Sequence, residues 1–221
     1  FENIKDIPSG HFNLVEIDPP YAIDLKRQKK KVYKNYTYGE GGYNEISIEA
    51  YPDFMKDTFK ECYRVMAPNS WLICWFGPEP WFEPMYQWII EAGFITRRLV
   101  GEWVKPSGQT NQPSLYLANA SEYFFYARKG SPTLARPGMT NIFPYSPVHS
   151  TSKIHPTERP LDLMQDILTT FAIEGSQVLV PYAGSGNTLI ASAMSKMIPM
   201  GFDLTMQFKE SYILRVQDVF K

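Results

Sequence analysis

Two short stretches of this chain carry residue types that could do chemistry together. The first is Asp18-Pro19-Pro20-Tyr21. Two successive prolines fix the backbone and remove two N–H donors, so their carbonyls can face a cleft beside a carboxylate and an aromatic ring. Such a set can accept both hydrogens of an exocyclic amine while the ring stacks on the attached base. An ordinary proline turn at a strand end has the same composition, so the motif alone decides nothing. The second stretch is VLVPYAGSGNT, Val178 to Thr188, in which Gly184-Ser185-Gly186 follows an apolar run and precedes a helical pattern. Glycines there let a ligand approach the backbone closely, and a helix N-terminus offers unpaired N–H groups to an anionic group. About 20 residues later Asp203 closes the next apolar run, where nucleotide-type folds place a carboxylate on ribose hydroxyls. Leu189 stands where the third glycine of a GxGxxG fingerprint would fall. A nucleoside with a small charged tail therefore fits better than a dinucleotide.

A third cluster is basic: Lys26, Arg27, Lys29, Lys30, Lys31 and Lys34, with no acidic residue among them. It reads either as a solvated loop or as a local contact for phosphates. Net charge is −1, from 22 basic and 23 acidic residues, so no blanket attraction to nucleic acid is available. Any such partner must be held locally. Cys62 and Cys74 stand alone, without metal-ligand spacings, so reduced thiols and no metal are expected. His11 and His149 read as surface residues and His155 as positional. Neither a run of 18 apolar residues nor a leader pattern occurs, which predicts a soluble, cytoplasmic protein without a membrane partner.

The elements that must position these residues follow from periodicity and punctuation. FNLVEI (12–17) is an apolar run ended by two prolines, a strand closing in a rigid turn. Residues 26–49, basic and then rich in Tyr and Gly, have no period and are read as a long functional loop. Met55, Phe59, Cys62 and Met66 mark a helix over about 51–67, and SWLICWF (70–76) is a buried strand parallel to the first. A helix over 81–92 with core tryptophans follows. Two strands are expected at 95–104 and 122–128, then mostly loop from 130 to 156, and a helix after Pro160 closed by Gly175. QVLV (177–180) reads as a strand, Asn187 to Lys196 as a helix, 198–203 as a strand and Phe208 to Phe220 as an amphipathic helix. Strands alternating with helices over the whole length predict one α/β domain, 1–221, with a mainly parallel sheet.

Taken together, the two constellations resemble a known family, the S-adenosylmethionine-dependent amino-methyltransferases of DNA in their permuted beta class. There a DPPY-type motif comes early and the cofactor motif late, as here. Pro181-Tyr182-Ala183-Gly184-Ser185-Gly186 is similar to the family's cofactor loop. His155-Pro156-Thr157-Glu158-Arg159-Pro160 is similar to the segment that precedes it, with Arg159 for the usual lysine. FKECYRVMAPNSWLICWFG (59–77) and SEYFFYARKG (121–130) resemble the intervening elements, so the likeness spans nearly the whole chain. Three departures stand out: Val180 replaces an aspartate, Asn187 a threonine, and Ser121 a histidine.

The resemblance implies a Rossmann-like methyltransferase fold, with a mainly parallel twisted sheet, helices on both faces and an antiparallel strand. It implies methyl transfer from S-adenosylmethionine to N6 of adenine in DNA after base flipping. Cytosine N4, an RNA adenine, or an inactive nucleic-acid-binding relative are the alternatives, the last because of Val180. Asp18 and the Pro19 carbonyl would accept the amine hydrogens beside Pro20, and Tyr21 would stack on the base. Gly184 and Gly186 would admit the cofactor beside Pro181, Tyr182 and Ser185, with Thr157 and Arg159 on its carboxylate and Asp203 on its ribose. The basic cluster Lys26 to Lys34 would meet DNA phosphates. The family also carries a strand just before a stretch like ENIKDIPSGHFNLVEIDPPY, so truncation upstream of Phe1 is expected, leaving strand 198–203 at an open edge that could pair in a homodimer.

Overall fold

The computed structural model describes residues 2–22, 46–110, 112–149, 153, 158–204 and 209–221. The basic cluster from Lys26 to Lys34, His155 and Thr157 lie outside the described residues.

Strand β1 (Phe12–Ile17) is the centre of the molecule. It pairs in parallel with β2 (Met66–Phe76) on one side and with β6 (Gln177–Val180) on the other. Beyond β2 come β4 (Asn119–Lys129), β3 (Gly101–Gln109) and β5 (Ile142–Pro144); beyond β6 comes β7 (Ile198–Gly201). The order is therefore β5-β3-β4-β2-β1-β6-β7. Among the described residues, only β4 runs against its neighbours, antiparallel to both β2 and β3. This is the expected α/β architecture.

Alternation along the central strands sends successive side chains to opposite faces. Val15 and Ile17 join Leu72, Cys74 and Phe76 on the face covered by α1 (Tyr51–Val65) and α2 (Pro78–Glu91). Leu14 joins Trp71, Ile73 and Trp75 on the other face, covered by α3 (Leu161–Phe171) and α4 (Asn187–Met194). Trp81 and Trp88 are buried in the first core, as their spacing predicts, and Cys62 and Cys74 are free, buried thiols.

One expectation is corrected. The strand predicted at 95–104 begins only at Gly101 and continues to Gln109 through Pro106 and Gly108; upstream, Ile95 makes a single bridge to Arg128. Gly101 marks the start because any side chain there would collide with the Phe124 ring. The region 130–156 is mostly loop as expected and holds one short strand, β5, which pairs in parallel with β3. The last helix, α5 (Lys209–Val219), is the expected amphipathic helix; none of its side chains is fully buried, and Tyr212, Arg215, Val216 and Val219 form its half-buried face. Among the described residues, no helix is long and apolar enough to cross a membrane.

Candidate active site

The carboxyl end of β1 delivers Asp18, with Pro19 buried and Pro20 half-buried behind it. The Tyr21 hydroxyl donates to Asp18 Oδ1 at 2.7 Å, and Trp81 Nε1 donates to the Tyr21 carbonyl at 2.8 Å. The chain then turns through Ala22, a buried residue at φ 50° in the left-handed region. That conformation is unusual for a residue with a Cβ and holds the motif in a sharp bend.

Arg159 closes over this turn. Its Nη1 donates to Asp18 Oδ2, and its Nη2 donates to Asp18 Oδ1 at 3.1 Å, to Tyr21 Oη at 3.2 Å and to Glu122 Oε2 at 3.2 Å. The guanidinium lies 3.8 Å over the Trp75 ring and is 8% exposed. Burial disfavours its charge, but Asp18 above all, with Tyr21 and Glu122, carries its pKa well above the ordinary value. It remains a cation. Glu122 is held in turn by Lys105, whose Nζ lies 2.6 Å from Glu122 Oε1. Lys105 reaches it because β3 bulges between Val104 and Gln109, where four residues of β3 oppose one of β4. Bulges of this kind re-aim side chains beside functional sites.

Beneath Asp18, two residues back on the same face of β1, lies Glu16, 2% exposed. Burial pushes its pKa up to about 7; Arg159 opposes the rise and Asp18 adds to it, with Thr188 and Trp75 close by. Sequence reasoning passed over Glu16, Glu122 and Lys105. A glutamate inside an otherwise apolar central strand was a usable signal for Glu16; nothing local points to the other two.

The second half of the site lies at the end of the adjacent strand β6. Val180 is buried in the core and pairs with Gly201 of β7. After buried Pro181 the loop is tied to β7's extension: Ala183 N donates to Phe202 O at 2.9 Å, and Gly184 N to Asp203 Oδ2 at 2.8 Å. The Tyr182 hydroxyl is directed to Thr58 of α1, at 3.1 Å. Gly184 and Gly186 have φ of 51° and 75°. Gly186 has a second reason to lack a side chain: an added Cβ would sit 2.2 Å from the Tyr212 ring of α5. Ser185 is buried and accepts from Asn187 N at 3.3 Å.

One segment joins the two halves. Asn187 Nδ2 donates to the Arg159 carbonyl at 2.8 Å and to Glu158 Oε1 at 3.1 Å, while Arg215 of α5 donates to Asn187 Oδ1 at 2.7 Å and also binds Glu158. Thus the residue whose side chain grips Asp18 is anchored through its backbone to the first turn of α4.

The DNA methylase model of the N6/N4 methyltransferase family matches residues 12–214. The chain belongs to that family. The family is S-adenosylmethionine-dependent. Among curated relatives, the chain is similar to the type II methyltransferase M.HpaI of Haemophilus parainfluenzae, at 22% identity over 94% of this chain and 68% of that one. It is 23% identical to the type II methyltransferase M2.MboI of Moraxella bovis, over 90% of this chain and 78% of the other. Of solved structures, the M1.HpyAVI–SAM complex superposes with a TM-score of 0.72 at 18% identity, covering 98% of this chain and 95% of that one. The cytosine-N4-specific PvuII DNA methyltransferase gives 0.74 at 16%, covering 98% and 87%. Family and fold are those the order of motifs implied.

Proposed function

We propose that this N6/N4 methylase transfers the methyl group of S-adenosylmethionine to N6 of adenine in DNA, in the cytoplasm. The observation that supports it most is the placement of Asp18: a carboxylate at the end of the central strand, gripped by a buried guanidinium and next to the glycine loop of β6. The loop suits the cofactor. Two glycines with positive φ turn the backbone at the N-terminus of α4, and an exposed carboxylate, Asp203, borders it from β7's extension. When bound there, the cofactor supplies an electrophilic methyl group on a sulfonium.

An aryl amine is a poor nucleophile because its lone pair is delocalised into the ring. Asp18 and the Pro19 carbonyl accept its two hydrogens, draw the nitrogen out of the ring plane and aim the lone pair, so alignment supplies most of the rate. Tyr21 stacks on the extruded base, and Pro20 stiffens the turn between them. Arg159 was expected on the cofactor carboxylate; its terminal nitrogens are engaged by Asp18, Tyr21 and Glu122, so we assign it to positioning Asp18. Thr157, Pro181, Tyr182, Gly184, Ser185, Gly186 and Asp203 remain the proposed cofactor contacts, and the basic cluster from Lys26 to Lys34 the proposed phosphate contact. Incubation with labelled cofactor and unmethylated DNA, followed by digestion to nucleosides, should yield N6-methyladenine. N4-methylcytosine as the sole product would overturn the choice of base.

A further inference from the structure

The connection between β3 and β4 displays three consecutive apolar side chains to solvent: Leu115, Tyr116 and Leu117 are 74%, 66% and 95% exposed. They are presented on a formed turn. The backbone N–H groups of Leu115 and Tyr116 both donate to the Gln112 carbonyl at 3.0 Å, and Gln112 N donates to Thr110 Oγ1 at 3.2 Å. The stem is equally tight: Gln109 pairs with Asn119, and a side chain at Gly108 would come within 2.7 Å of the Ala118 carbonyl.

Position and chemistry narrow what this tip could meet. Because Phe76, the last residue of β2, pairs with Tyr123, residues 119–122 of β4 overhang the carboxyl edge of the sheet, the edge that carries Asp18. The same hairpin contributes Lys105 and Glu122 to the site. From Pro106 to Asn119 no residue is charged, and the leucines are flanked by Gln109, Thr110, Gln112 and Asn119. An uncharged tip is unsuited to phosphates. Apolar wedges bordered by amide side chains suit the space between base pairs, where they enter an unstacked step.

We propose that the tip at 112–118 inserts into duplex DNA beside the target base, with Leu117 leading and Tyr116 against a neighbouring base, and holds that step open while the target occupies the site. The proposal rests on the DNA-methylating function above.

Leu115→Ser combined with Leu117→Ser, at positions that contribute no core, should lower methyl transfer to bulk unmethylated duplex DNA at least tenfold. Affinity for S-adenosylmethionine in calorimetry should stay within twofold, and Leu117→Met should keep the rate within threefold. Since both native thiols are buried, Leu117→Cys places one reactive thiol at the tip. Duplex DNA at a concentration giving a complete band shift should slow its maleimide labelling at least tenfold. Parental turnover in the serine variant, or labelling indifferent to bound DNA, overturns the proposal. So does sedimentation in which the serine changes dissociate a dimer while DNA leaves the thiol reactive, since the tip would then join two copies. A parent chain that binds DNA but transfers no methyl would strike the function instead, and the labelling would still report on the tip.

Discussion

Asp18 and Arg159 are separated by 141 positions in the chain and meet as a bidentate pair. Removing one member of a pair this buried costs about 3 to 5 kcal/mol, because the other charge stays desolvated. Arg159→Met should therefore lower the unfolding free energy in urea by about 3 kcal/mol, and Arg159→Lys by less, since the cation is kept and the fork is lost. Asp18→Ala should reduce methyl transfer at least about a hundredfold while leaving cofactor affinity within about threefold, as expected of a group that acts on the target amine. Retained turnover within tenfold would remove Asp18 from the chemistry. Glu16 gives a pH signature. Its pKa rises from 4.5 to about 7 on folding, so the folded state binds the proton more tightly than the unfolded chain. The contribution of Glu16 to stability is therefore greatest below pH 4.5, falls through the window up to about 7 and is level above it, a loss of about 3 kcal/mol. Glu16→Gln should abolish the fall and be the more stable protein at pH 8, as urea titrations at pH 5 and pH 8 would read.

At the scale of elements, α5 has no buried side chain and is attached through contacts at Tyr212 and Arg215. Arg215→Leu should speed amide exchange across 209–219 and at the start of α4, because both the attachment of the outer helix and the cation facing buried Glu158 are lost, while β1 and β2 stay protected. Gly186→Ala should destabilise through both its positive φ and its collision with Tyr212. In a Tyr212→Ala background only the first penalty, about 1 to 2 kcal/mol, should remain, and the difference in thermal unfolding between the two backgrounds measures the second. The legible elements were those bounded by strong local punctuation: β1 by Pro19 and Pro20, β6 by Gly175 and Pro181, α3 by Pro160. Strand β3 was misplaced because its true span holds Pro106 and Gly108, which read as breakers, while the preceding ITRRLV is rich in the β-branched residues that favour strands. Only the partner β4, with Phe124 above Gly101 and a bulge beyond Val104, explains where β3 lies.

In the whole molecule, chain order and spatial order differ: β1 is flanked by β2 and by β6, and β7 ends the sheet. The order of the motifs was legible because each sits at a strand end, but the cross-chain grip of Arg159 on Asp18 was not, since no local pattern encodes a partner 141 positions away. If Asp203 meets the cofactor ribose, Asp203→Ala should weaken cofactor binding by about 1.5 to 3 kcal/mol, the range for a hydrogen bond to a charged group. An unchanged dissociation constant in calorimetry would refute that role.

The central position of β1 also governs when the site can exist. Pairing Leu14 with Val178 closes a loop of about 160 residues, against about 60 for Trp71 with Arg128, a difference of about 1 kcal/mol in closure entropy. During synthesis the β1-β2-β4-β3 half can therefore assemble while β6 is still unmade, with the exposed flank of β1 waiting for its partner. In refolding, amides of β2 and β4 should gain protection before those of β6, and methyl-transfer competence should emerge with the later phase. Pulse-labelled exchange during refolding, run beside an activity assay on the same clock, would show the two phases or their absence.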